Sequence, residues 1–204
     1  MTASTKRRPS VETARQRVLT VATAQLSRGG PEALNLRDIA ERAGCSTMMI
    51  YTLFGGKGPL LESIYREGFE RFGAALAACG SHTDPAVRLR ELARGYRAFG
   101  LANKSLYAAM FSRPIGSAQL RGKAARRGTT SFATLLEAVR YAREHGAIDL
   151  QLDVDTVADA LWTLVHGHVS LEVSGHFLDD ATISDARFAL LVDTFLAGLT
   201  GRVT

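Results

Sequence analysis

The stretch Asn35-Leu36-Arg37-Asp38-Ile39-Ala40-Glu41-Arg42-Ala43-Gly44-Cys45-Ser46-Thr47-Met48-Met49-Ile50-Tyr51-Thr52-Leu53-Phe54-Gly55-Gly56-Lys57 decides the fold. Asn35 is a good N-cap, with Asp38 at the third helical position, so a short helix is expected over Leu36–Ala43. Gly44 suits the left-handed conformation that ends a helix, and Ser46 can cap the next one, Thr47–Phe54. Gly55-Gly56 breaks the chain again. Two short helices across a glycine-containing turn form a helix-turn-helix. Leu36, Ile39, Ala40, Ala43, Cys45, Ile50 and Phe54 fall on the inward side, and Thr47, Met48, Met49 and Thr52 face outward, with Tyr51 at the edge. A helix of this length fits the major groove of DNA, where Thr47 can hydrogen-bond and Met48 and Met49 can pack on thymine methyls. The spacing alone also suits a purely structural helical hairpin.

Working outward, apolar residues recur at helical spacing over 11–27 until Gly29-Gly30-Pro31 stops the run. A longer helix is expected over 58–78. Asp84-Pro85, a cap followed by proline at the first helical position, opens another to about residue 102. Shorter helices are expected over 104–112 and near 118–126, and a strongly amphipathic one over 131–145. Asp153 or Asp155 caps a long apolar helix to about Val173, and Ser184 caps a last one over 185–199. No run alternates long enough to argue for a sheet, so the class is all-α.

Charge supports a nucleic-acid reading of the front. Residues 1–57 hold nine Lys/Arg against four acids and carry the whole net charge of +5, whereas the rest of the chain is balanced. A basic front with a neutral back suits a polyanionic partner, and equally a solvated basic tail. The polar start, residues 1–10, has no apolar core of a signal peptide, and no run approaches the roughly 20 residues of a membrane span, so a cytoplasmic protein without membrane partners is expected. Cys45 and Cys79 are far apart without metal-ligand spacing and are read as reduced and structural. No HExxH, nucleophile elbow or P-loop occurs, and the five histidines form no spaced ligand set. No enzyme activity, metal or cofactor is therefore expected. A helical carrier, or a dimeric module that binds protein rather than DNA, are the competing classes.

The segment 36–57 closely resembles the DNA-binding segment of the tetracycline-repressor (TetR/AcrR) family. Ile39-Ala40, Ala43-Gly44, Ser46, Tyr51 with Phe54, Lys57 and Leu60-Leu61 carry the resemblance, with Val18, Ala22, Ala24 and Leu26 upstream. It implies a three-helix DNA-binding head at 1–57, with a basic arm at 1–10, and a helical effector-binding and dimerisation domain at 58–204. Tyr51 and Lys57 resemble backbone-phosphate contacts, Asn35 and Arg37 phosphate-facing positions, and Ser46, Thr47 and Met48 the start of a recognition helix. The arm Lys6-Arg7-Arg8 resembles arms that reach along the DNA. Met48, Leu53 and Gly58-Pro59 depart from the family's usual residues.

A second resemblance lies in Leu161-Trp162-Thr163-Leu164-Val165-His166-Gly167, which looks like the Trp-x-x-x-His-Gly signature of one TetR-type C-terminal domain. Trp162 and His166 share a helix face. Either they line an effector pocket, or they pack the core with His166 bonded to a backbone carbonyl. Phe99, Tyr107, Met110, Phe111, Phe132 and Leu136 are the other pocket candidates by resemblance, and they imply a small, largely apolar effector. Arg97 and Glu137 are read as solvated rather than as polar anchors. Val165, Val169, Leu171, Val173, Phe188, Leu191, Phe195 and Leu199 exceed the need of one buried stripe and are read as holding an association face. By resemblance, that face pairs two subunits, and their two-fold symmetry matches a palindromic operator of a repressor.

Overall fold

The computed structural model describes residues 10–79, 82–111, 130–149, 151–177 and 180–200. Among the described residues there are nine α-helices and no strand. They are α1 (Val11–Gly29), α2 (Leu36–Ala43), α3 (Thr47–Phe54), α4 (Lys57–Ala77), α5 (Pro85–Ala102), α6 (Lys104–Phe111), α7 (Thr130–Glu144), α8 (Val154–Val173) and α9 (Ala181–Thr200), with a 3₁₀ turn at Pro31–Ala33. The helix expected near 118–126 and the arm of basic residues 6–8 lie outside the described residues.

Local chemistry sets most boundaries. Ser10 accepts from the Thr13 N–H, Asn35 from Arg37 and Asp38, Ser46 from Met49, Asp84 from Ala86 and Val87, and Asp153 from Thr156. Each bond satisfies an amide that the first helical turn leaves without a partner. Gly44 sits at φ 67°, ψ 40°, and lets the Cys45 N–H bond back to the Ala40 carbonyl at 2.9 Å. A side chain is disfavoured in that left-handed conformation, so glycine sets the angle between α2 and α3. One expectation fails here. The last helix begins at Ala181, not Asp185, and Asp180 caps it by accepting from Thr182 and Ile183. Ser184 lies inside α9, buried, and its hydroxyl donates to Glu172.

The head closes around Val18, Leu19, Ala22 and Leu26 of α1, Ile39, Ala40 and Ala43 of α2, and Ile50 and Phe54 of α3. Leu26, Ile39 and Ile50 are wholly withdrawn from solvent. Each such side chain contributes about 1.5–3 kcal/mol of burial free energy. Helix α4 adds Leu60, Leu61 and Ile64 to this core and then continues, through Phe72 and Leu76, into the second one. There α4 packs on α5 and α7, α5 on α7 and α8, and α9 against α5 and α8. Helix α6 bridges the two ends, touching α1 and α4 on one side and α5 and α8 on the other. No described helix is long and apolar enough to cross a membrane.

Candidate functional site

Helix α3 buries Ile50 and Phe54 and turns its other side to solvent. Met48 is 73% exposed, Tyr51 51% and Met49 37%. Ser46 is exposed and Thr47 half-buried. Arg37 and Lys57 are exposed on the flanking helices. Asn35 is exposed, but its carboxamide oxygen is spent on the cap of α2, and its own N–H donates to Gln25 at 3.0 Å. Its position is therefore set by the fold of the head, as is that of the capping Ser46.

Helix α4 starts at Lys57 behind Gly56, which offers no side-chain cap. Its first amide N–H groups, at Lys57 and Gly58, point out of an open helix end with partial positive charge. Pro59 has no N–H to satisfy, so the Gly58-Pro59 opening, unusual by sequence, leaves α4 intact. The Tyr51 ring lies beside Gly56, where a Cβ would stand 3.5 Å from it. Exposed Tyr51 and Lys57 thus stand next to the uncapped start of α4, a setting that suits an anion.

In the second core, the aromatic and imidazole residues form one cluster. The hydroxyls of Tyr96 and Tyr107 each lie 2.8 Å from Nδ1 of His166, and 3.3 Å from each other. Ser170 Oγ lies 3.4 Å from Nε2 of the same ring. The Trp162 indole stacks on His166 at 5.4 Å. Phe111 lies 4.5 Å from the imidazole, and Phe132 meets Trp162 edge-on at 6.4 Å. Burial holds His166 below its ordinary pKa and lifts both tyrosines above theirs. At neutral pH the centre is an uncharged imidazole between two protonated phenols. The ring nitrogens of His166 meet the hydroxyls of Tyr96, Tyr107 and Ser170, where a backbone carbonyl was expected if the residue packs the core; core packing and pocket lining both remain compatible with this cluster.

Two family models cover most of the described structure. "Bacterial regulatory proteins, tetR family" matches residues 18–64, and "Tetracyclin repressor-like, C-terminal domain" matches residues 89–195. The chain belongs to the TetR family. It is accordingly a DNA-binding transcriptional regulator, with a helix-turn-helix head and a helical C-terminal domain. No curated protein matches it. Among solved structures, it is similar to a protein of unknown function from Rhodococcus sp. RHA1, with 27% identity, 97% of this chain and 100% of that one covered, and a TM-score of 0.74. The fatty acid degradation regulator FadR from Bacillus halodurans has 19% identity, the same coverages and a TM-score of 0.77. The TetR family transcriptional regulator PfmR from Thermus thermophilus has 21% identity over 87% of this chain and 95% of that one, with a TM-score of 0.68.

The remaining candidates of this TetR-family chain divide. Tyr107, Phe111, Phe132, Trp162 and His166 meet in the cluster just described. Phe99 stands one layer away, against Phe72 at 5.0 Å, and Phe72 in turn meets Tyr96. Met110 fills the space over Gly68 of α4, and Leu136 is half-buried on α7. Tyr96 was not anticipated. It sits three residues before Phe99 on the same helix face, a signal the sequence did hold.

The residues expected on an association face do not all turn outward. Val165, Val169 and Phe188 are 3%, 0% and 3% exposed within one subunit, so they belong to its own core. Val173, Leu191 and Phe195 are half-buried. The apolar side chains turned outward are Leu171 on α8, and Ile183 and Leu190 on α9. Arg97 also departs from expectation. It is not solvated but grips Glu172 through two bonds of 2.7 and 2.8 Å, with Asp185 at 2.6 Å. His168 lies beside this pair, between the rings of Phe177 and Phe188, with Nε2 3.5 Å from Glu172. Glu137 is exposed and pairs with Arg88.

Proposed function

We propose that this TetR-family protein is a ligand-responsive repressor acting in the cytoplasm. As a homodimer it binds a roughly palindromic operator, and a small, largely apolar effector releases it. In this reading, residues 1–57 contact DNA, and 58–204 receive the effector and pair the subunits. One observation carries the proposal. Helix α6 holds Tyr107 against His166 in the aromatic cluster, and the same short helix packs on α1 of the head. A ligand that displaces this cluster acts directly on the mount of the DNA-binding unit. It shifts the equilibrium only by its differential affinity for the two arrangements.

The cluster also suits the effector. Its side chains are mostly aromatic, and its polar groups are neutral phenols and an imidazole, which favour an uncharged ligand with a hydrogen-bonding group. Pairing of two subunits is supported by the outward Ala160, Gly167 and Leu171 on α8, with half-buried Leu164 between them, beside Ile183, Ala186, Leu190 and Ala197 on α9. A Leu190→Glu protein should stay folded and sediment as a monomer. An unchanged dimer would place the contact elsewhere.

The central test uses DNA upstream of the protein's own coding region. A gel shift should show sequence-selective, salt-sensitive binding. Trp162 is the single tryptophan and lies in the cluster, so its fluorescence reports on that site alone. Compounds that alter it should release the DNA. Compounds that alter it while leaving the DNA complex intact would refute effector control.

A further inference from the structure

The chemistry of α3 restricts what its outward face can read. The helix, Thr47–Phe54, contains no Arg, Lys, Asn, Gln, Asp or Glu. Those are the side chains that make the bidentate or charged hydrogen bonds to guanine, adenine and cytosine in the major groove. Two nearby hydroxyls are already engaged: Ser46 Oγ accepts the Met49 N–H at 3.1 Å, and Thr52 donates to the Met48 carbonyl at 3.0 Å. Besides the hydroxyls of Thr47 and Tyr51, what α3 offers outward is apolar. Met48 is the most exposed large hydrophobic side chain among the described residues, at 73%. Thr52 and Tyr51 stand on the same face, four and three residues further on.

Resting on the DNA-binding reading, we propose that α3 recognises thymine through its C5 methyl group, with Met48 and the methyl of Thr52 as the specificity-determining contacts. The occupant of this apolar face is duplex DNA because of what surrounds it. All the net charge of the chain lies in residues 1–57, and exposed Arg37 and Lys57 flank α3. An apolar strip framed by cations matches a groove that carries methyl groups between two phosphate strands. Thymine alone among the four bases presents a methyl there. The unbranched, polarisable thioether of Met48 can follow such a surface without a fixed hydrogen-bond geometry. Sequence preference then comes from methyl packing, while Tyr51, Lys57 and the open end of α4 supply register on the backbone.

The test perturbs the DNA, so folding of a variant is not at issue. Duplexes selected by the intact protein from a random pool are resynthesised with uracil replacing thymine, one base pair at a time, symmetrically in both half-sites. Uracil keeps every hydrogen-bonding group and lacks only the methyl. Removing one well-packed methyl should weaken binding about fourfold, and a symmetric pair about fifteenfold. The effect should appear in each half-site; Met48→Ala should abolish it at the thymine that Met48 covers, and Met48→Ala combined with Thr52→Ser should bind thymine and uracil duplexes alike. If uracil is silent at every position of a selected sequence, the thymine reading is overturned and DNA binding stands. If the protein selects no sequence at all, both fall.

Discussion

Replacing Gly100 by alanine tests the packing on which the aromatic cluster depends. A Cβ at this point of α5 would lie 2.5 Å from Cγ1 of Val169 on α8, and 3.4 and 3.5 Å from the Tyr107 ring. Carbon atoms rest at about 3.5–4.0 Å, so a gap of about 1 Å must open. Val169 cannot turn aside, because it is fully buried and a β-branched residue in a helix has one preferred rotamer. Overpacking of this kind costs about 1–3 kcal/mol, against about 1 kcal/mol of helix propensity gained over glycine. The net loss reaches about 2 kcal/mol, a fall in Tm of about 4–8 °C at fixed protein concentration. Urea unfolding followed by Trp162 fluorescence measures it. Combining Gly100→Ala with Val169→Ala removes the clashing methyl, and the two changes should couple favourably by about 0.5–3 kcal/mol. A strictly additive pair, or a Gly100→Ala protein more stable than its parent, would refute the close approach of α5 and α8.

Three further outcomes follow from the same structure. Lys57→Ala should lower the slope of log K against log salt by about 0.9 for each phosphate the lysine no longer neutralises, hence about 1.8 for a dimer, as read by fluorescence anisotropy. Arg97→Met should destabilise the fold by about 3–5 kcal/mol in urea, because it strands the buried carboxylate of Glu172; a loss below 1 kcal/mol, on the scale of surface pairs, would show that the pair is solvated. Burial lowers the pKa of His166 and of His168, so below about pH 6.5 the unfolded chain binds protons that the folded chain refuses. Stability should therefore fall with acidification, by at most about 2.7 kcal/mol per pH unit for the two groups, and His168→Gln should flatten the Tm profile. Burial alone would raise Glu172, but its bonds from Arg97 and Ser184 outweigh that and depress its pKa. Its contribution is lost in a separate step, as pH falls below its ordinary 4.5 and through its folded value.

The head was legible because its boundaries are written in local chemistry. Asn35, Gly44, Ser46 and Gly55 each impose or satisfy a backbone condition within four residues of themselves, and α2 and α3 begin and end where those residues say. The start of α9 was not, because Asp180 and Ser184 are both competent caps. Tertiary structure chose between them, drawing the Ser184 hydroxyl toward Glu172 and leaving Asp180 to cap. Local rules do not rank two good caps when a partner twelve residues away takes one.

The association face and the ionic cluster were hidden for a different reason. Helical periodicity identifies a face, but not whether that face meets its own subunit or a second one. Helix α8 touches α5, α6, α7 and α9, so it buries apolar residues around more than one stripe, and Val165 and Val169 are consumed inside. Arg97 reads as a surface residue because its partner lies seventy-five positions on, at Glu172. The fold then makes neighbours of features that the sequence keeps apart. Tyr96 and Arg97 are consecutive on α5, one bonded to His166 of α8, the other to Glu172 of α8 and Asp185 of α9. A group that enters between Tyr96 and His166 therefore acts on α5 one residue from the anchor of the two helices whose outward faces carry Leu171 and Leu190.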